Sequence, residues 1–215
     1  MKILVMIYPM FSMQEISCLT EIMGFNGIEI KTCSYSRDPV KTEDGFWVLP
    51  DYACSDADPL DYDGIILPGM AEFPNVLKHG EYAQFLSRLR NHPEILIAAI
   101  SCAPVLLAKA GLLQNHRFCG GLYNEVLRDL SFLPENNFVP AALYEDGNLI
   151  TAVGFAYREF AFKVAERMGL IFERSYFGPL AENWDDFDLT WDMDAENLRF
   201  WEANLKDLRE LGITD

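Results

Sequence analysis

The sequence "EILIAAISCAPVLLAKAGLL" (residues 94–113) changes its hydrophobic pattern halfway along. Residues 95–100 form a continuous apolar run, which is typical of a strand buried on both faces of a parallel sheet. Residues 104–112 are apolar on nearly every side, as expected of a helix that packs against such a sheet. Ser101 and Cys102 stand between the two parts. The stretch therefore predicts a strand that turns directly into a helix, with a hydroxyl and a thiol at the turn.

The same succession of strands and helices extends over most of the chain. Apolar runs bounded by turn residues predict strands, and apolar residues at helical spacing predict helices. Strands are predicted within 2–8, 27–36, 62–69, 94–100 and 148–155, and helices within 13–24, 81–90, 104–112 and 158–170. This order predicts an α/β fold, doubly wound around a mostly parallel sheet, over residues 1–172.

Residues 173–215 form an acidic, aromatic-rich extension of this domain. The pattern of 173–193 fits neither a helix nor a strand clearly. A helix is predicted from Asp194, which is a suitable N-cap, to the stop signal at Gly212. Its apolar residues fall at a spacing of 3, 4 and 3: Leu198, Trp201, Leu205 and Leu208. The helix is expected to dock on the main domain or on a partner chain.

Composition excludes several classes of function. The formal net charge of −16 argues against a nucleic-acid partner, because phosphate binding needs clustered Lys and Arg. The longest apolar run is strand-sized, so no membrane span is expected. The N-terminal sequence "MKILVMIYPM" lacks a signal-peptide cleavage site and is interpreted as a first strand, which predicts a cytoplasmic location.

The five cysteines favour neither a disulfide framework nor a metal site. They are Cys18, Cys33, Cys54, Cys102 and Cys119. Their number is odd and none forms a CxxC pair, so reduced, mostly buried thiols are expected. No G-x-G-x-x-G follows the first strand, which argues against a dinucleotide site. We therefore predict neither a metal nor a cofactor.

Ser101 is flanked at a distance of two residues by Ala99 and Ala103, which gives the pattern A-x-S-x-A. Small residues at these positions allow a strained strand-to-helix turn that exposes a nucleophile above the sheet. Pro104 suits the first turn of the following helix, and the Cys102 N–H at that helix start is a candidate oxyanion donor. The alternative is that Ser101 is an ordinary N-cap and Cys102 a small buried residue.

At this junction the sequence resembles the DJ-1/PfpI family of the class I glutamine amidotransferase-like superfamily. The similar stretches are "AAISCAPVLLAKAGLL", "DGIILPGM" and "ITAVGFAYREFAFKVAERMG", together with the first strand and helix, and they span most of residues 1–170. The resemblance implies a flavodoxin-like three-layer sandwich, a homodimer, and a small-molecule ligand or substrate.

The resemblance also implies site residues, with departures from the family pattern. Ser101 stands at the position of the family's cysteine nucleophile, and Cys102 falls one residue later. Glu15 matches the acidic residue of the first helix, although "SMQE" is also a capping box in which Glu15 would bond back to the backbone of Ser12. Gly69 and Met70 match the pair whose backbone N–H groups bind an oxyanion.

No histidine matches the family histidine that follows the junction by about twenty residues. Cys119 and Gly120 occupy that region and are secondary pocket candidates. His79, His92 and His116 are expected on the surface. A serine without a histidine base is a weak nucleophile, so strong peptidase activity is not expected.

Three functional hypotheses follow from these residues. The chain is a weak amidase-like hydrolase that uses Ser101 with Glu15, or a non-catalytic relative that binds a ligand or partner in the same pocket. The third hypothesis is a thiol-based redox or stress protein that uses Cys102 or Cys119.

Overall fold

The computed structural model describes residues 1–178 and 188–214. The other residues, 179–187 and Asp215, belong to the predicted extension, so the prediction for them lies outside the described residues. Nine strands are described: β1 (Lys2–Met6), β2 (Glu29–Ser34), β3 (Val40–Lys41), β4 (Trp47–Val48), β5 (Tyr52–Ala53), β6 (Gly64–Leu67), β7 (Leu96–Ile100), β8 (Leu143–Asp146) and β9 (Leu149–Ala152).

Seven of these strands form the central sheet, in the order β5-β2-β1-β6-β7-β9-β8. Every neighbouring pair is parallel except β9 with β8, which is antiparallel. β3 and β4 pair as a separate antiparallel hairpin. The mostly parallel sheet that the apolar runs predicted is confirmed, and all residues of β6 and β7 are buried.

Helices cover the sheet in two outer layers. The described α-helices are α1 (Gln14–Phe25), α2 (Phe73–Val76), α3 (Gly80–Ser87), α4 (Pro104–Lys109), α5 (Asn124–Asp129), α6 (Tyr157–Arg167) and α7 (Ala195–Glu210). α1 packs against α6, and α3 packs against α4. Among the described helices, none is both long and apolar enough to cross a membrane.

The C-terminal helix α7 begins where the sequence predicts. Its N-cap Asp194 accepts hydrogen bonds from the second and third N–H groups of the helix. Trp201, Leu205 and Leu208 are buried on one face, as their spacing predicted. The Trp201 indole N–H donates to Asp129 Oδ2 at 3.1 Å, so the helix packs on the same chain.

The strand register brings three loops to one edge of the sheet. Leu67 at the end of β6 lies opposite Ala99, and Ile100 at the end of β7 lies opposite Ala152 at the end of β9. The residues that follow these three strands therefore meet above the carboxyl edge of the sheet, where ligands bind in open α/β folds.

Candidate active site

The turn between β7 and α4 holds Ser101 in a conformation that side-chain-bearing residues seldom adopt. Its φ angle is +62°, in the left-handed region, which costs roughly 1–2 kcal/mol. Ser101 N–H donates to Ala152 O and Gly121 N–H donates to Ser101 O, each at 2.8 Å, and these bonds fix the turn. The N-cap of α4 is Ala103, so the alternative interpretation of Ser101 as an N-cap is wrong.

Glu15 lies in the first turn of α1, and its carboxyl faces this turn. Its Oε2 accepts the Gly69 N–H at 2.6 Å, and the Ser101 hydroxyl lies beside the same carboxyl, against Gly69 and Gly154. The capping box is not formed, because the N-cap of α1 is Met13 and the Ser12 N–H donates to Gly69 O instead. The structure therefore brings the predicted hydroxyl and carboxyl together.

Two glycines make this close approach possible. A methyl group on Gly69 would lie 2.8 Å from Ser101 Oγ and would overlap Glu15 Oε2. A methyl group on Gly154 would lie 2.5 Å from Glu15 Oε1 and 3.4 Å from Ser101 Oγ. Because these glycines follow β6 and β9, the strands on either side of β7, the acid–hydroxyl pair sits between two side-chain-free walls.

The surroundings of Glu15 raise its pKa to about 7. Burial is the largest cause, since the charged form loses its hydration. The hydrogen bond from the Gly69 N–H and the neighbouring Ser101 hydroxyl oppose this rise in pKa, and the nearby acids Glu43 and Asp44 add to it. A carboxyl with this pKa exchanges a proton near neutral pH, which suits a general base.

A buried tyrosine holds the backbone that binds Glu15. The Tyr8 hydroxyl donates a short hydrogen bond to Pro68 O, and Tyr8 is fully buried. Pro68 C=O and Gly69 N–H belong to one planar peptide group. The peptide is therefore held from both sides, by Tyr8 at its oxygen and by Glu15 at its N–H.

Cys102 points away from the cleft and into the protein. Its side chain is 6% exposed, and its Sγ donates to Met70 O at 3.0 Å. The Met70 N–H in turn contacts Cys102 Sγ at 3.4 Å, so this predicted oxyanion donor now faces a thiol. Burial is the main cause that raises the pKa of Cys102 to about 12.

Cys119 and Gly120 lie behind Ser101. The Cys119 thiol is fully buried and donates to Thr151 O at 3.2 Å. Burial is the main cause that raises the pKa of Cys119 to about 11. Gly120 packs against the Ser101 carbonyl so closely that a methyl group there would lie 2.7 Å from that oxygen. Gly120 thus contacts the turn, Cys119 contacts Thr151 of β9, and neither is among the described residues that line the cleft.

A cleft of about 530 Å³ opens above Ser101. Its lining comes from the loops after β7 and β9, the start of α5 and the chain before α7. The described lining residues are Ser101, Gly121, Leu122, Tyr123, Val153, Gly154, Phe155, Trp191, Asp192, Asp194 and Asn197. The Ser101 side chain is thus accessible to a small molecule, while Glu15 lies beneath the surface.

A larger cavity of about 620 Å³ lies at the opposite edge of the sheet. It is bordered by the beginnings of β7 and β9 and by the polar side chains of Arg90, His116 and Arg167. None of the predicted site residues lines it. The smaller cleft is the candidate active site because Ser101 lines it, although the other cavity is larger.

The three histidines of the chain all lie within the described residues, and none lines the cleft. His79 stacks on a tyrosine ring. His92 contacts Glu94 at 2.8 Å, and His116 faces Asp146 at 3.6 Å.

Sequence reasoning did not identify several residues of this site. Gly154 lies two residues after β9, inside the range predicted as a strand, and a glycine near the end of that range was the available signal. Gly121 donates its N–H to Ser101 O and carried no separate signal. Tyr8 follows the first strand and carried no comparable signal. The cleft wall at 191–194 reaches the site through a backbone bridge between Trp191 and Tyr123, which no local pattern predicts.

Comparison with known proteins identifies a family and several relatives. The sequence model described as the DJ-1/PfpI family matches residues 1–167. Protein dj-1beta of Drosophila melanogaster is 30% identical over 151 residues, which cover 68% of this chain and 73% of that protein. Deglycase TK1284 of Thermococcus kodakarensis is 24% identical over 147 residues, which cover 68% of this chain and 80% of that protein.

Solved structures share the fold. The DJ-1 superfamily protein Atu0886 from Agrobacterium tumefaciens superposes with a TM-score of 0.70 at 23% identity, over 82% of this chain and 94% of that one. The crystal structure of Drosophila melanogaster DJ-1beta gives a TM-score of 0.65 at 26% identity, over 77% and 89% of the two chains.

Proposed function

Because the chain belongs to the DJ-1/PfpI family, we propose that it is an amidase-like hydrolase that acts on a small amide or related carbonyl compound. The observation that carries this proposal is the close approach of the Ser101 hydroxyl to the partly buried Glu15 carboxyl, side by side against Gly69 and Gly154. A strained turn presents the hydroxyl to a cleft, and the carboxyl has a pKa near 7. The enzyme name of the relative Deglycase TK1284 adds support for a catalytic role.

In the proposed reaction the Ser101 Oγ attacks the carbonyl carbon of the substrate, and its proton passes to ionised Glu15. The carbonyl π electrons move to the oxygen and form a tetrahedral intermediate. As the intermediate collapses, the bond to the amine or alcohol breaks and that group takes the proton from Glu15. A water molecule then attacks the acyl-serine carbonyl while Glu15 accepts its proton; the acyl C–Oγ bond breaks, Ser101 Oγ takes that proton back from Glu15, and the carboxylic acid leaves.

The developing oxyanion requires backbone donors near Ser101. Of the predicted N–H groups, Cys102 N–H lies at the start of the helical turn, and Met70 N–H contacts only the Cys102 sulfur at 3.4 Å. Because that sulfur is buried and directed away from the cleft, a substrate oxygen in the cleft does not reach the Met70 N–H. The Gly69 N–H is committed to Glu15.

The test is acyl labelling of the intact protein with p-nitrophenyl acetate, followed by mass spectrometry. We expect a +42 Da adduct (an acetyl group, ~42 Da, in place of a proton) on the wild type, with a rate that rises with pH through about 7 as Glu15 ionises. Ser101→Ala should abolish the adduct, whereas Cys102→Ala should retain it. An adduct that survives in Ser101→Ala would exclude Ser101 as the nucleophile.

A non-catalytic binding function is the second candidate, because no histidine lines the described cleft. Absence of labelling in the wild type at pH 8, together with saturable binding of a small molecule in the cleft, would favour it. The thiol hypothesis is less well supported, since burial keeps the pKa of Cys102 near 12 and that of Cys119 near 11, and a protonated thiol is a poor nucleophile.

A further inference from the structure

The wall of the cleft above Ser101 is aromatic. The Phe155 and Trp191 rings meet edge to face, with centroids 5.8 Å apart. Tyr123 and Trp191 are joined by a parallel β-bridge, and the Asn124 N–H donates to Trp191 O at 3.1 Å. These backbone contacts attach the segment before α7 to the segment before α5, so the aromatic wall has a fixed support.

The rim of the same cleft is acidic. Asp192 and Asp194 both line it, and both are exposed. The Asn124 side chain holds Asp192 Oδ1 at 2.7 Å, and the first N–H groups of α7 hold Asp194 Oδ1. Among the described lining residues there is no Lys, Arg or His to neutralise these carboxylates.

Aromatic faces and carboxylates together favour one class of ligand. An organic cation gains from the negative faces of aromatic rings and from opposite charge, whereas an anion is repelled by the two carboxylates and by ionised Glu15. A neutral ligand gains only from apolar contact. The lining therefore discriminates between ligands by their charge, within the same cleft of about 530 Å³ that Ser101 lines.

We propose that the cleft selects substrates that carry an organic ammonium group on the part of the molecule that lies in the cleft while Ser101 attacks the carbonyl. This inference rests on the hydrolase function proposed above, and it assigns the aromatic wall and Asp192 and Asp194 as the residues that determine specificity. Compounds with a carboxylate or sulfonate at the same position are excluded.

Binding is measured first, with the Ser101→Ala variant, so that no reaction intervenes. Benzyltrimethylammonium and phenylmethanesulfonate serve as cationic and anionic probes in isothermal titration calorimetry. We expect the cation to bind, with affinity that falls as salt is raised, and the sulfonate not to bind. Equal binding of the two probes, or no binding of the cation, would overturn the inference.

Isosteric variants test the two carboxylates. Asn at either position keeps the oxygen that accepts the hydrogen bonds described above, and Asn is also a good N-cap. We expect Asp192→Asn and Asp194→Asn each to weaken binding of the cation about three- to tenfold. Asp61→Asn removes an exposed carboxylate far from the cleft and should leave binding unchanged. An equal loss in all three variants would mean that only net charge matters, contrary to the proposal.

Reactivity separates this inference from the hydrolase function. Butyrylcholine and 3,3-dimethylbutyl butyrate differ only by a charged nitrogen in place of a carbon. We expect kcat/KM with wild type to be at least about tenfold higher for the choline ester, corresponding to about 1.4 kcal/mol. Equal hydrolysis of both esters would refute the cation preference and leave the hydrolase intact. Cation binding without hydrolysis of either ester would refute the hydrolase, and the charge-selective cleft would stand.

Discussion

At the scale of single residues, Glu15 is expected to make folding stability depend on pH. Its pKa is about 7 in the folded protein and 4.5 for an ordinary glutamate, so the folded state keeps a proton that the unfolded chain loses. This proton adds about 3 kcal/mol to the free energy of unfolding. The added stability is fully present below pH 4.5 and is lost as the pH rises through 7. Tyr8 and Cys102 also face Glu15, but burial raises their pKa values and keeps them neutral in this range.

Glu15→Gln replaces the carboxyl by a group that stays neutral at every pH. We expect the variant to match the wild type in free energy of unfolding at pH 4.5, and to exceed it by about 2 to 3 kcal/mol at pH 8, while acyl labelling of Ser101 is lost. Urea denaturation at several pH values measures the difference. Glu21→Gln, an exposed change on the same helix, is the control. A pH-independent difference between Glu15→Gln and wild type would contradict the raised pKa.

Tyr8 is a positioning residue that acts through the Pro68–Gly69 peptide. Tyr8→Phe removes the donor to Pro68 O, which should cost about 1–2 kcal/mol of stability and weaken the alignment of the Gly69 N–H with Glu15. Since that N–H lowers the pKa of Glu15, the pH midpoint of acyl labelling should move to higher pH.

Tyr82→Phe is the matched control for Tyr8→Phe. Tyr82 is also fully buried, and its hydroxyl bonds to Ser34 and to Ile7 O instead. This variant should lose stability without moving the pH midpoint. If the two variants give the same midpoint as wild type, Tyr8 has only a structural role.

At the scale of elements, the junction of β7 and α4 is predicted well because its determinants are local. A continuous apolar run specifies the buried strand, small residues permit the turn, and Pro104 specifies the helix start. The same applies to α7, whose cap and 3, 4, 3 spacing lie within one segment. The short strands β3, β4, β5 and β8 were not predicted: β3, β4 and β5 have only two residues each, and β8 lacks the continuous buried apolar run that marks β6 and β9, which are also four residues long.

The site depends on contacts between distant segments, and these set the limit of sequence reasoning. The S-x-x-E pattern predicted a capping box as one alternative, but the Ser12 N–H bonds to Gly69 O, and Glu15 bonds to Gly69 N–H across the sheet edge. The need for glycine at position 154 likewise arises from Glu15 on another element. Local patterns compete with such tertiary contacts, and only the assembled fold decides between them.

At the scale of the whole molecule, an exposed apolar surface lies beside α1. A groove of about 590 Å³ runs between α1 and the β3–β4 hairpin. Met13 and Phe46 line it, and Phe46 is 64% exposed. Trp47 and Leu49 extend the apolar surface beside it, each 68% exposed. Contiguous apolar surface of this kind is a common mark of a protein interface.

We propose that the predicted homodimer forms through this groove, with a second copy of the chain covering it. A stable dimer buries about 800 Å² on each partner, and Phe46 is the most suitable anchor because it combines exposure with a position in the groove. Phe46→Asp should therefore weaken dimerisation about tenfold or more.

Sedimentation equilibrium measures the change. The wild type should show twice the chain mass of 24.5 kDa, and the mass of the Phe46→Asp variant should shift towards that of the monomer. Ile171→Asp changes a side chain that is 86% exposed on another surface and should remain dimeric. If the wild type is monomeric at all concentrations, or if both variants dissociate equally, the groove is not the dimer interface.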